Sequence, residues 1–294
     1  MHPAPSIIVF TVASGLGLGL LALLGLGLIT PQGFGAFLWF GAAYGLTLAG
    51  LAASTYHLGR PERALKAFSQ WRSSWLSREA VLVAACLALM TPHAAALVFF
   101  TRPLPVLAAV AGVLALQTIL ATSMIYAQLR TVPRWNHWST PAVFLIAALA
   151  GATMMTGMVP LAQVLLAWLA LAMVAHWLLG DRRFAASGVT LGTATGLGAL
   201  GTPRPFEPPH TGRSYLLTEM VHVVARAHAI KLRVVAMVLA CVLPSLILLG
   251  LPPRWPVISL AMASHLTGML AARWLFFAEA EHTLSLYYGR PPTR

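Results

Sequence analysis

Apolar residues run through this chain in long, nearly unbroken stretches, with the polar residues gathered in short segments between them. Stretches of membrane-spanning length lie at 7–29, 34–56, 80–100, 105–127, 141–159, 161–179, 234–251 and 256–278. A bilayer core about 30 Å thick takes roughly 20 apolar residues in a helix. The pattern therefore predicts an all-α, polytopic membrane protein: a bundle of eight transmembrane helices forming a single domain over residues 1–294. Gly157-Met158-Val159-Pro160 between spans five and six, and Pro252-Pro253 between seven and eight, predict tight hairpins. The first apolar run lacks a basic flank before it and a small-residue cleavage site after it, so it reads as a retained span rather than a signal peptide.

The polar segments are unequal. With eight spans, both termini and the connections 2–3, 4–5 and 6–7 share one side, and every Lys and Arg lies there except Arg102, Arg254 and Arg273. The positive-inside rule makes that side cytoplasmic. Most of the mass outside the membrane then sits in two cytoplasmic connections, at about 57–79 and 180–233, where a partner would dock. Within the second, Gly196-Leu197-Gly198-Ala199-Leu200-Gly201 matches the G-x-G-x-x-G spacing of dinucleotide folds. The Pro-rich TPRPFEPP that follows rules out the helix such a site requires. Residues 188–209 read as a flexible linker, and 215–233 as a basic helix leading into span seven.

Composition sharpens this picture. Hydrophobic residues make up 59% and charged residues 9%, against about 25% charged in soluble domains. The net charge of +12 is spread over several connections rather than one patch, which points to topology, membrane lipid and partner contacts and not to nucleic acid. Cys86 and Cys241 each lie alone in an apolar span, so no iron–sulfur cluster is expected in this chain. The deep histidines His93, His176 and His265 form no sequence-close pair, so no haem is expected either. Gly15 with Gly19, and Gly41 with Gly45, place small residues four apart for close helix packing.

The densest polar stretch is HLGRPERALKAFSQWRSSWLSREA, residues 57–80. Trp71 and Trp75 are four apart and can share a helical face at the membrane interface, with Arg72 and Arg78 reaching to head groups or a partner. His57 stands where span two meets this stretch. A histidine there can be a structural hydrogen-bonding residue, or it can donate a hydrogen bond and a proton to a quinone carbonyl. Tyr126, Arg130, Trp135, Asn136, His137, Trp138, Arg226, His228, Lys231 and Arg233 mark the same membrane face and can converge there. Arg273, inside span eight, calls for a partner; Glu279, a backbone carbonyl and a quinone oxygen are all open.

HLGRPERA with WRSSWLSREA, Tyr126 to Arg130 with Trp135-Asn136, Arg226-Ala227-His228, and Arg273 to Glu279 through Tyr287-Tyr288-Gly289 together resemble the membrane-anchor subunits of dimethyl sulfoxide reductase. The opening MHPAPSIIVFTVASGLGLGLLALLG resembles the branch serving cytoplasmic sulfite-oxidising complexes. The resemblance implies a haem-free anchor in the bacterial cytoplasmic (inner) membrane. It would hold an iron–sulfur electron-transfer subunit and a molybdopterin catalytic subunit on the cytoplasmic side and exchange electrons with ubiquinone or menaquinone. It assigns the HLG histidine, His57, to the quinone site. Arg60, Arg130 and Arg273 join it as candidate quinone-site residues, and Arg63, Trp71, Arg72, Trp75 and Arg78 as candidate docking residues. No catalytic residue for the sulfur substrate and no metal ligand is expected. The alternatives are the anchor of a dimethyl sulfoxide reductase, oxidising quinol, and a small-solute transporter, for which inverted repeats and midplane polar residues would be the signs.

Overall fold

The computed structural model describes residues 4–56, 61–207 and 228–288, and among them every regular element is helical. The long helices are α1 (Pro5–Gly25), α2 (Gly33–Thr55), α3 (Trp75–Phe100), α4 (Pro105–Ala127), α5 (Ser139–Met155), α6 (Val159–Ala186), α7 (Ala229–Gly250) and α8 (Trp255–Ala278). All but α5 are long and apolar enough to cross a membrane, and α5 is apolar with 17 residues. At 1.5 Å per residue α5 is about 26 Å long, slightly less than a typical bilayer core.

The first helix forms the axis of the bundle. In α1, 72% of its most apolar window is buried, against 28% for α2, and α1 packs on α2, α4, α5 and α8. Lipid provides little hydrophobic drive for helices to associate, so small residues that let backbones touch do much of the work. Gly17 of α1 lies against Thr47 of α2, and a side chain at Gly50 would come within 2.6 Å of Ser14 N. Gly25 and Gly112 bring α1 and α4 together in the same way. The spacing at Gly41 and Gly45 does not serve this purpose among the described residues, since a Cβ at either meets nothing within 4 Å. That face of α2 looks away from the bundle.

Helix α7 is not regular. A π-helical turn at Val238–Val242 precedes Pro244, whose ring nitrogen offers no hydrogen to the preceding turn. The neighbouring helix takes up the freed carbonyls: Ser264 Oγ donates to Leu239 O at 2.8 Å, and His265 Nδ1 lies 2.7 Å from Ala240 O. This is possible because Gly268 lets α8 ride directly on Ala240, where any Cβ would collide with its backbone.

Helix ends depart from the hydropathy boundaries. α3 begins at Trp75 and α6 continues to Ala186, through Asp181, Arg182 and Arg183. The linker reading of 188–209 also changes. Thr190 and Thr193 form a reciprocal capping box that starts a short helix, Leu191–Thr195, and Tyr287 Oη donates to Ala194 O at 3.1 Å. The expected helix at 215–233 lies largely outside the described residues.

Candidate functional site

α2 and α3 pack against each other, and the segment between them runs from the end of α2 at Thr55 to the start of α3 at Trp75. His57 and Arg60 fall between them, outside the described residues. One turn into α3, Glu79 is buried at 4% exposure and accepts a short hydrogen bond from Thr122 Oγ1 of α4. Tyr126, one turn further along α4, stands within electrostatic reach of both Glu79 and Arg273.

The connection before α3 is folded back on its own arginine. Pro61–Phe68 is a 3-10 helix carrying an exposed Arg63. Trp71 lies in a turn and Trp75 begins α3, so the two do not share one helical face as the spacing suggested. Arg78 reaches back to Trp71 O at 3.1 Å and Arg72 O at 2.7 Å, and its guanidinium lies 4.5 Å from the Trp75 ring centroid. Those bonds staple the connection to the first turn of α3. Arg63, Trp71 and Arg72 remain exposed.

Of the residues that the sequence allows to converge, Tyr126 and Trp135 meet, whereas Trp138, His228 and Lys231 are exposed and Arg226 lies outside the described residues. Tyr126, Trp135, Phe144, Phe276 and Phe277 form one aromatic cluster, with Trp135 stacked on Phe276 at 5.1 Å and donating from Nε1 to Phe276 O at 2.9 Å. Asn136 Nδ2 donates to Ala127 O, and Arg183 to Asn136 O, both at 2.6 Å. Arg130 is exposed. Burial, with Arg183 nearby, holds the His137 imidazole below its ordinary pKa.

Four charged side chains close a ring at this end. Arg134 pairs with Asp181 at 2.5 Å and Glu279 at 3.3 Å, while Arg233 pairs with Asp181 at 2.7 Å and Glu279 at 2.8 Å. The ring joins the α4–α5 connection, α6, α7 and the end of α8. It also answers the question left open at Arg273, because Glu279 is committed to the ring. Arg273 is instead buried at 3% exposure with its guanidinium 3.5 Å from the Phe144 ring centroid.

The deep histidines each have a local partner. Leu104 N donates to His93 Nδ1, Ser139 Oγ bonds to His176 Nδ1, and His265 bonds to Ala240 O. Among the described residues no three His, Cys, Asp or Glu side chains come together as a metal site, and Cys86 and Cys241 are buried and free.

The family model described as DMSO reductase anchor subunit (DmsC) matches residues 1–289. The chain belongs to this family. It is also 33% identical to a sulfite dehydrogenase subunit of Allochromatium vinosum, over 98% of this chain and 99% of that protein. No solved structure matches it. The anchor is thus a multi-pass membrane subunit of an oxidoreductase complex, which implies catalytic and electron-transfer partners.

Two features of the anchor's interior escape a reading of the sequence. Glu79, next to last in the WRSSWLSREA motif, reads as part of a loop, whereas it lies in a helix and inside the bundle. An acid at the start of an apolar run is the available signal, since carboxylates in spanning helices are rare and face the bundle interior. The ion ring has no such signal, because Arg134 and Glu279 are 145 positions apart.

Proposed function

We propose that this chain is the membrane-anchor and quinone-reactive subunit of a three-subunit molybdopterin and iron–sulfur oxidoreductase, passing electrons from a partner iron–sulfur subunit to quinone during sulfite oxidation. Its similarity to a subunit of a sulfite dehydrogenase supports the sulfite assignment. All eight long helices cross the bacterial inner membrane, α5 included, with both termini and the partner subunits on the cytoplasmic side. The placement of the basic residues supports that orientation.

The observation that carries the quinone-reactive part is Glu79. Reducing a quinone to a quinol consumes two electrons and two protons, so the site needs proton-carrying groups that water and lipid can both approach. His57, which follows α2 in the sequence, donates to a quinone carbonyl. Glu79, buried one turn inside α3 and oriented by Thr122, supplies a second proton carrier. Arg60 and Arg130 provide positive charge to the quinone, and Arg273 adds it from within the bundle. Arg63, Trp71 and Arg72 face the partner, with Arg78 and Trp75 fixing the shape of the segment that presents them.

The test is His57→Ala in the assembled complex. Turnover with a soluble artificial acceptor should persist while quinone-coupled turnover falls by about 10²- to 10⁴-fold. Unchanged quinone kinetics would place the site elsewhere. Quinol-driven reduction of dimethyl sulfoxide, without sulfite oxidation, would reassign the complex to the respiratory branch whose name the family carries.

A further inference from the structure

Arg273 is a cation buried within the bundle, and its Nε makes no hydrogen bond with any described residue. Contact with the Phe144 face offsets part of the cost. A guanidinium still carries five N–H donors and keeps its charge, and a buried charge without hydrogen-bonding partners is costly.

The space beside this side chain is suited to supply a partner. A cavity of about 30 Å³ lies between α1, α4, α5 and α8, with Thr11, Ser14, Thr122, His265 and Arg273 as its polar walls. One water needs roughly 10–15 Å³, so about two fit and a quinone ring does not. Gly151 keeps the space open, since a Cβ there would stand 3.3 Å from His265 Nε2.

The walls specify the occupant. Thr11 and Ser14 direct their hydroxyl hydrogens to Ile8 O and Phe10 O. A carbonyl only accepts, so the hydrogen between His265 Nδ1 and Ala240 O sits on the imidazole, and in the neutral ring Nε2 is an acceptor. Thr122 has one hydroxyl hydrogen and two acceptors in reach, Glu79 Oε1 and, at 3.0 Å, Thr118 O. A carboxylate draws that hydrogen more strongly than a carbonyl does. Every polar wall except Arg273 therefore offers lone pairs. An anion would be repelled by them, and a second cation would face Arg273. Water suits both, accepting from Arg273 and donating to the hydroxyls and the imidazole.

We propose that water in this cavity bridges Arg273 to Thr122, so that Arg273 is a positioning residue acting on Glu79 through the water and the Thr122 hydroxyl. The direction of each bond is fixed. Arg273 can only donate, the water accepts from it and donates to Thr122, and Thr122 donates to Glu79. Hydrogen bonds aligned in this way polarise one another, and the chain ends on a carboxylate oxygen.

The bridge rests on the reading of Glu79 as a proton carrier for quinone. Glu79 gives its carboxyl proton to an oxygen of the quinone as electrons arrive from the iron–sulfur subunit, and a carboxylate is left inside the bundle. The oriented chain stabilises that carboxylate and so eases the release. No proton moves along the chain, and Arg273 stays charged throughout.

The test uses the assembled complex, with sulfite as donor and a short-chain quinone as acceptor. Turnover with a soluble artificial acceptor, which bypasses this chain, reports whether the complex is intact. Arg273→Met should lower kcat with the quinone by about tenfold, less than the roughly 10²- to 10³-fold of a donor that touches the reacting group, and leave KM unchanged. Thr122→Val removes the hydroxyl with little change in shape and should also lower kcat. The double variant should be no slower than Thr122→Val alone, because Arg273 then has no route to Glu79. A high-resolution density map of the wild-type complex should show ordered water between Arg273 and Thr122. Losses that multiply in the double variant, a rise in KM with kcat intact, or an empty cavity would each overturn the bridge. Wild-type turnover in Arg273→Met, alongside a defect in Glu79→Gln, would overturn it and leave the quinone reading standing. Wild-type turnover in Glu79→Gln would remove that reading and the bridge with it. An Arg273→Met loss that extends to the artificial acceptor marks a structural role and also overturns the bridge.

Discussion

Arg233 of α7 holds Glu279 at the end of α8 at 2.8 Å, and the same guanidinium grips Asp181 of α6. One side chain therefore ties together α6, α7 and α8, and Arg134 joins the α4–α5 connection to the same two carboxylates.

Breaking this ring from its buried side should be costly. Glu279 is 4% exposed, so Arg233→Met strips a partner from a carboxylate that cannot rehydrate. A loss of about 3 kcal/mol is expected, read as a lower unfolding midpoint of the detergent-purified chain. Removing Asp181, whose side chain is 43% exposed, should cost less because its arginine partners retain Glu279 and gain access to water. Equal losses from the two substitutions would show that burial does not govern the ring.

Glu79→Gln keeps the size of the side chain and its hydrogen bond with Thr122 while abolishing proton release. The complex should assemble at wild-type yield, and quinone-coupled turnover should fall by about 10²-fold. Co-purification of the partner subunits measures assembly independently of turnover.

Glycine positions offer a paired test of packing. Gly268→Ala places a methyl against the Ala240 backbone and must push α7 and α8 apart, for an expected loss of at least 1–3 kcal/mol, a typical range for overpacking. Gly41→Ala meets nothing within 4 Å and should be neutral or stabilising by up to about 1 kcal/mol through helix propensity. Thermal unfolding of the two variants side by side gives the comparison.

Topology can be read with reporters. Fusions after Arg294 and insertions at 188–209 should both report cytoplasm if the basic connections set the orientation. Periplasmic signals at both positions would invert the arrangement.

The long helices are legible in the sequence because a bilayer demands continuous apolar segments, and this chain supplies them. Their ends are less so: hydropathy marks where lipid stops, whereas α6 carries on through Asp181 and Arg183, whose side chains then bond to neighbouring segments. Chemistry carried by local motifs is partly legible, as at Asn136, whose amide donates to Ala127 O close by in the chain. Contacts made by side chains far apart in sequence are not. Arg273 and Glu279 illustrate the difference. Six positions along a helix turn them to different faces, one into the bundle and the other toward α7.

The irregular turn of α7 bears on how the protein is made. Alone in lipid, α7 would expose Leu239 O and Ala240 O to hydrocarbon with no donor within reach, and lipid offers none. Ser264 and His265 supply those donors from the next span, so α7 matures only when α8 is beside it. A chain truncated before residue 255 would leave those two carbonyls without the donors that α8 brings to them.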